Sequence, residues 1–178
     1  MRFLSRRELN AASVTLLMLF LLPDTSAKHR PDHPYRYSNL DISVSLAAGT
    51  VRTPEFPLAV TQWYWIMVQV ERPFPSLQMR CMMGATLGPL DVQDCNKARI
   101  EPLLQADWKV WDGEKIVAQG SIPNNCACAF TDKYIFRFLG DFPGQSGKKY
   151  VVEVKFTKDG TPLNVANPHL IVTRIGYE

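Results

Sequence analysis

Cysteine, histidine and tryptophan are the residues here whose chemistry is most specific: four, three and four of them in 178 positions. Cys126 and Cys128 form a Cys-Xaa-Cys pair, which suits a redox dithiol or a soft metal. A disulfide inside so small a ring strains the demanding geometry of that bond, and strained exposed disulfides are the labile ones. The favoured alternative is that both pair elsewhere or simply sit in the loop after Pro123. Zinc needs four ligands at known spacings, and no second Cys-Xaa-Xaa-Cys or His-rich run stands nearby, so no metal is expected. Cys81 and Cys95, 14 apart, bracket an irregular stretch. A bridge there would close that loop and contribute roughly 3 kcal/mol on the chain-entropy estimate. Four cysteines allow three full pairings, and this one is the expected structural disulfide.

His29 and His33 are four apart, but Pro31 and Pro34 oppose the helix that would align them. His29 becomes a Cu(II) or Ni(II) ligand only if the chain is cut after Ser26, which puts histidine third behind a free amine. His169 precedes a strand and reads as a satisfied structural histidine. No Gly-Xaa-Ser-Xaa-Gly elbow accompanies any of them. A triad is assembled by the fold rather than by sequence position, so a hydrolase stays as a third reading, to be revived by His169 standing against a carboxylate in a cleft. No phosphate-binding glycine motif or calcium loop occurs.

Aromatic residues are the most suggestive for binding. Trp63 and Trp65 share one strand face and Tyr64 takes the other; Trp108 and Trp111, three apart, face opposite sides. Core is the expected home of Trp63, Trp65 and Trp108. Trp111, beside Asp112-Gly113, is the best candidate for exposure, and Trp111 and Tyr64 are the candidate partner-binding residues.

The segment ahead of these residues sets their compartment. Arg2, Arg6 and Arg7 precede an uncharged run, Ala11–Leu22, and Thr25 and Ala27 are small residues at the −3 and −1 positions of a cut before Lys28. This is the layout of a secretory signal peptide over residues 1–27. Twelve residues fall short of the about 20 that a spanning helix needs. Membrane attachment is therefore expected only through residues 9–22, if the signal is retained. Removing residues 1–27 leaves 17 basic and 15 acidic residues, net +2. With no basic block, electrostatic nucleic-acid binding is excluded as a main activity. Outside the cytoplasm, in periplasm or medium, cysteines tend to pair.

Residues 28–39 read as an extended polar leader. From Leu40 strict alternation begins (Leu-Asp-Ile-Ser-Val-Ser-Leu), the sign of a half-buried strand. Further strands are expected over 58–70, on either side of Asp112-Gly113, over 134–139, over 150–157 and over 168–175. Residues 47–57 and 142–147 read as turn-rich, and 76–105 as irregular, with one helical turn near Asp91–Ala98. Seven or eight short strands without long helices predict an all-β, two-sheet antiparallel sandwich over residues 40–178, immunoglobulin-like or jelly-roll-like. Tyr150, at a strand start after a glycine loop, fits either an immunoglobulin-type tyrosine corner or an ordinary strand position.

Four segments carry a resemblance: Cys81-Met-Met-Gly84, Trp108–Gly120, Arg137–Tyr150 and Leu163–His169. Over roughly residues 40–175 the chain resembles a group of uncharacterised exported bacterial β-sandwich proteins, a domain of unknown function. The resemblance implies a sandwich, an extracytoplasmic address and a Cys81–Cys95 pair; Cys126 and Cys128 lie outside its pattern. The resulting expectation is an exported, non-catalytic binding module without cofactor, whose partner is another protein in the envelope. Alternatives are an immunity or inhibitor protein capping an envelope toxin or enzyme, and a thiol or metal protein using Cys126, Cys128 and His29.

Overall fold

The computed structural model describes residues 38–72, 76–84, 89–122 and 128–175. The expected signal segment, with residues 9–22, His29 and His33, lies outside the described residues, as do Cys126 and the side chain of Cys128. Among the described residues no helix is long and apolar enough to cross a membrane.

Among the described residues ten strands form two antiparallel sheets. The first runs β1 (Ser38–Ser43), β10 (His169–Arg174), β4 (Gln62–Glu71), β8 (Tyr134–Gly144), β7 (Cys128–Phe130). The second runs β2 (Gly49–Arg52), β9 (Lys149–Phe156), β5 (Ala106–Asp112), β6 (Lys115–Ser121), with β3 (Phe56–Pro57) also pairing β9. The all-β sandwich is thus the fold. Period-two alternation decides which side chains enter it. Tyr64, Ile66, Val68 and Val70 of β4 meet Val152, Val154 and Phe156 of β9 and Val110 of β5 in one buried cluster. At β5–β6, Gly113 (φ +60°) takes the left-handed position of the two-residue turn.

Several boundaries differ from expectation. Ser38 and Asn39, assigned to the leader, already belong to β1. The turn-rich stretch 47–57 holds β2 and β3. β8 continues through Phe142 to Gly144, because a bulge opposite Ile66–Met67 lets it bend and stay paired to β4. Residues 76–105 contain two helices, α1 (Ser76–Met83) and α2 (Pro89–Lys97). The sign of α1 was Met79 and Met83, one helical turn apart, and both are fully buried in the core. Helices of 8 and 9 residues are marginal alone. The Cys81–Cys95 disulfide joins them, with Cα atoms 5.5 Å apart, and the Leu103 N–H bonds the Met82 carbonyl at 2.7 Å to close the end of α1.

Two interior features fix how the sheets pack. The Tyr150 hydroxyl accepts the Gln145 N–H at 3.0 Å, an upstream backbone tie of the tyrosine-corner kind. Trp108 projects from β5 into the core, and its indole rests on two glycines. A Cβ on Gly140 of the facing sheet would lie 2.1 Å from the ring, and one on Gly120 of β6 would lie 2.9 Å from it.

Gly140→Ala is expected to cost about 3 kcal/mol, the upper part of the range for overpacking. It would be read as a fall in the urea midpoint at unchanged slope. Smaller Trp108 variants, such as Trp108→Leu, should recover part of that loss in the double mutant. Cys81→Ala/Cys95→Ala should lose about 3 kcal/mol in the same assay.

Candidate functional site

The outer face of the first sheet carries the side chains that the core does not use. Its cross-strand register builds parallel rows. Ser43, His169, Gln69, Phe136 and Ala129 form one row. Asp41, Ile171, Met67 and Phe138 form the next, followed by Thr173, Trp65 and Asp141, then Trp63 and Pro143. Met67, Phe136 and Ile171 make a second, small apolar cluster, with Trp65, Ala129, Tyr134 and Phe138 packed round it. Trp65 meets Phe138 edge-on at 6.1 Å between ring centres, a favoured aromatic arrangement.

The tryptophans settle differently from expectation. Trp63 is 53% exposed at the open end of this face rather than in the core. Trp65 is half-buried on the same face, and Trp108 alone of the three is in the core. Tyr64, expected as a partner contact, is fully buried. It stacks on Phe142 at 5.7 Å and donates its hydroxyl to the Val60 carbonyl at 2.8 Å. Burial pushes its phenol pKa up, with the bond to Val60 opposing that shift. The reason is one of parity: the even-numbered positions of β4 from Tyr64 to Val70 are all apolar or aromatic, whereas the odd set contains Gln69 and Glu71. Trp111, the expected exposed aromatic, is half-buried on the outer face of the second sheet under the Arg52 guanidinium, 5.3 Å from the ring centre. That cation–π contact satisfies one face of the indole internally.

At the β1 edge the rows become polar. His169 Nδ1 is 2.5 Å from Asp41 Oδ1, and Nε2 is 3.3 Å from Ser43 Oγ. Side-chain exposure is 11% for His169 and 26% for Asp41, and Ser43 is exposed. His169 is therefore a satisfied histidine, as expected. The contacting residues were not singled out in the sequence. Their sign was Asp41 and Ser43 two apart in a strictly alternating strand, hence on one face.

A separate cavity of about 340 Å³ opens elsewhere, lined in part by Gly84, Gln105, Asp107, Ser121 and Arg137. Arg137 points inward from β8, is buried, and its pKa is drawn below the ordinary arginine value by desolvation. The guanidinium stands 4.0 Å from a Cβ position on Gly84, just past α1, where the partial negative charge of a helix C-terminus favours a cation. Asp107 at the rim accepts the Ser121 hydroxyl at 2.6 Å. Among the described residues no group of three or more His, Cys, Asp or Glu side chains is placed to hold a metal.

Compared with known protein families and with curated proteins, the sequence finds no match. A crystal structure of a protein from Sulfurospirillum deleyianum is similar, with a TM-score of 0.56 and 9% identity, covering 78% of this chain and 98% of that one. At that identity the likeness concerns the fold alone.

The placement of β4 makes neighbouring aromatics behave oppositely. Trp63→Ser should leave unfolding stability within about 0.5 kcal/mol of the parent, as surface changes do. Tyr64→Ala should cost about 3–5 kcal/mol, as emptying a core aromatic site does. Urea denaturation of the two variants side by side checks both.

Proposed function

We propose that this protein is an exported binding module that recognises another protein of the cell envelope through the outer face of its first sheet, with Trp63 as the anchor. The observation that carries this reading is Trp63 itself, more than half exposed at the end of a face whose centre, Met67, Phe136 and Ile171, is buried. Exposed tryptophan beside a packed apolar cluster, with exposed Asp141 at the margin, matches the usual interface pattern of an aromatic anchor and a polar rim. The Cys81–Cys95 disulfide supports an address outside the reducing cytoplasm.

Site-specific photo-crosslinking in the exporting cell tests this. A benzoyl-phenylalanine at position 63 should give a discrete heavier adduct with one protein, identified by mass spectrometry, whereas one at exposed Val165 should not. The purified partner should then bind the parent chain, and Trp63→Ser should weaken binding tenfold or more, about 1.4 kcal/mol or above, the scale of an interface anchor. Equal crosslinking at 63 and 165, or binding unchanged by Trp63→Ser, would sink the reading.

A further inference from the structure

We infer that Ser43, His169 and Asp41 form an acyl-transfer site acting on carboxylic esters. It uses residues at the β1 edge and is independent of the partner reading. The arrangement has the three contacts that nucleophilic hydrolysis by serine requires: a hydroxyl against a histidine nitrogen, the other ring nitrogen against a carboxylate, and the hydroxyl open to solvent. The Ser43 Oγ–His169 Nε2 separation of 3.3 Å is at the loose end usual without substrate, and the His169 Nδ1–Asp41 Oδ1 contact of 2.5 Å is tight. Ser43 is open to solvent, His169 is nearly buried, and Asp41 stands at the surface beside it.

Strand pairing supplies the rest. The Val44 N–H bonds the Pro168 carbonyl at 3.0 Å, so Val44 faces β10 with its backbone groups. In an antiparallel pair backbone direction alternates along the strand. The N–H of Ser43 therefore points away from β10, to the side of β1 where the described residues place no further strand. Ser43 and His169 form the closer, non-hydrogen-bonded kind of cross-strand pair, which brings their side chains together. A carbonyl carbon placed over Ser43 Oγ at this corner has the Ser43 N–H within reach of its oxygen. From the other flank comes Gln69, directly opposite His169 and buried. Its Oε1 is buried and has no partner among the described residues.

The chemistry follows from those positions. With His169 neutral and its Nδ1–H donated to Asp41, Nε2 takes the Ser43 proton as Oγ bonds to the ester carbonyl carbon. The tetrahedral centre places its negative oxygen at the Ser43 N–H. Collapse breaks the bond to the alkoxy group, which leaves as the alcohol with the proton from Nε2. Water, deprotonated by Nε2, then attacks the acyl-serine, and the acid departs as Ser43 recovers its proton. Ser43 and His169 are the catalytic residues, and Asp41 is a positioning residue that fixes the tautomer.

The test uses the mature exported protein, a fluorophosphonate probe and p-nitrophenyl acetate. One equivalent of probe is expected on Ser43, located by peptide mass spectrometry and absent from Ser43→Ala. Ester hydrolysis should fall about 10²-fold or more in Ser43→Ala and in His169→Gln, the usual contribution of general base catalysis. Asp41→Asn should lower the rate and change its pH profile, which a merely structural carboxylate would not do. Because His169 is buried, His169→Gln is compared at a temperature where its circular dichroism matches the parent; Ser43→Ala, at an exposed position, carries the test if it does not fold. No labelling of Ser43 above the Ser43→Ala background, or labelling that folded His169→Gln retains in full, overturns the inference.

Discussion

The packing of Trp108 is the constraint on which the sandwich depends. Facing sheets lie about 10 Å apart, a gap that side chains from both normally share. Here one indole from β5 crosses much of it and meets backbone, because Gly140 of the opposite sheet and Gly120 of the neighbouring strand offer no side chain. Gly140 stands beside the β8 bulge, opposite Ile66, where Leu139 is the extra residue and is also buried. The bulge, the glycine and the indole therefore belong to one arrangement. Removing any of them alters the spacing of the sheets, and with it the register on which both outer faces are built.

The helices solve a different problem. A sandwich of antiparallel strands leaves the ends of its core open, and Met79 and Met83 of α1 close one of them. So short a helix has little stability of its own. The disulfide to α2 and the Leu103–Met82 backbone bond hold it in place without a larger core. Arg137 then finds its place near the end of α1, where a buried cation is easier to accommodate than deeper between the sheets.

Alternation made most strands legible in the sequence, since period two is dictated by the pleat. Alternation also told that Trp63 and Trp65 share a face, but not which face is inside. Size and aromaticity suggested the core, whereas the polar members of the same set, Gln69 and Glu71, decided for the outside. The Cys81–Cys95 bridge was legible because its loop is short. Ser43, Asp41 and His169 were not, since 126 residues separate the serine from the histidine and only the pairing of the first strand with the last brings them together. Local signals cannot encode such a contact. The helix α1 was hidden for another reason: cysteine, methionine and flanking prolines resemble irregular chain until Met79 and Met83 are seen as one turn.

The two outer faces of the sandwich differ in kind. On the second sheet the outward positions include Arg52 paired with Glu153 at 3.2 Å, together with Lys109, Lys155 and Asp107, as expected of a face turned to water. On the first sheet the outward positions of β4, β8 and β10 are chiefly Trp63, Trp65, Met67, Phe136, Phe138 and Ile171. An antiparallel sheet needs only one apolar face to fold, and the inner face of this sheet already supplies it. Here Met67, Phe136 and Ile171 of the outer face are themselves buried, so they make a second small core rather than an open patch. Among the described residues, Trp63 is the large apolar side chain of that face that folding leaves more than half exposed. The contacts among Ser43, His169 and Asp41 lie at one margin of this face and Trp63 at another, while the second sheet turns charged side chains such as Arg52 and Glu153 outward.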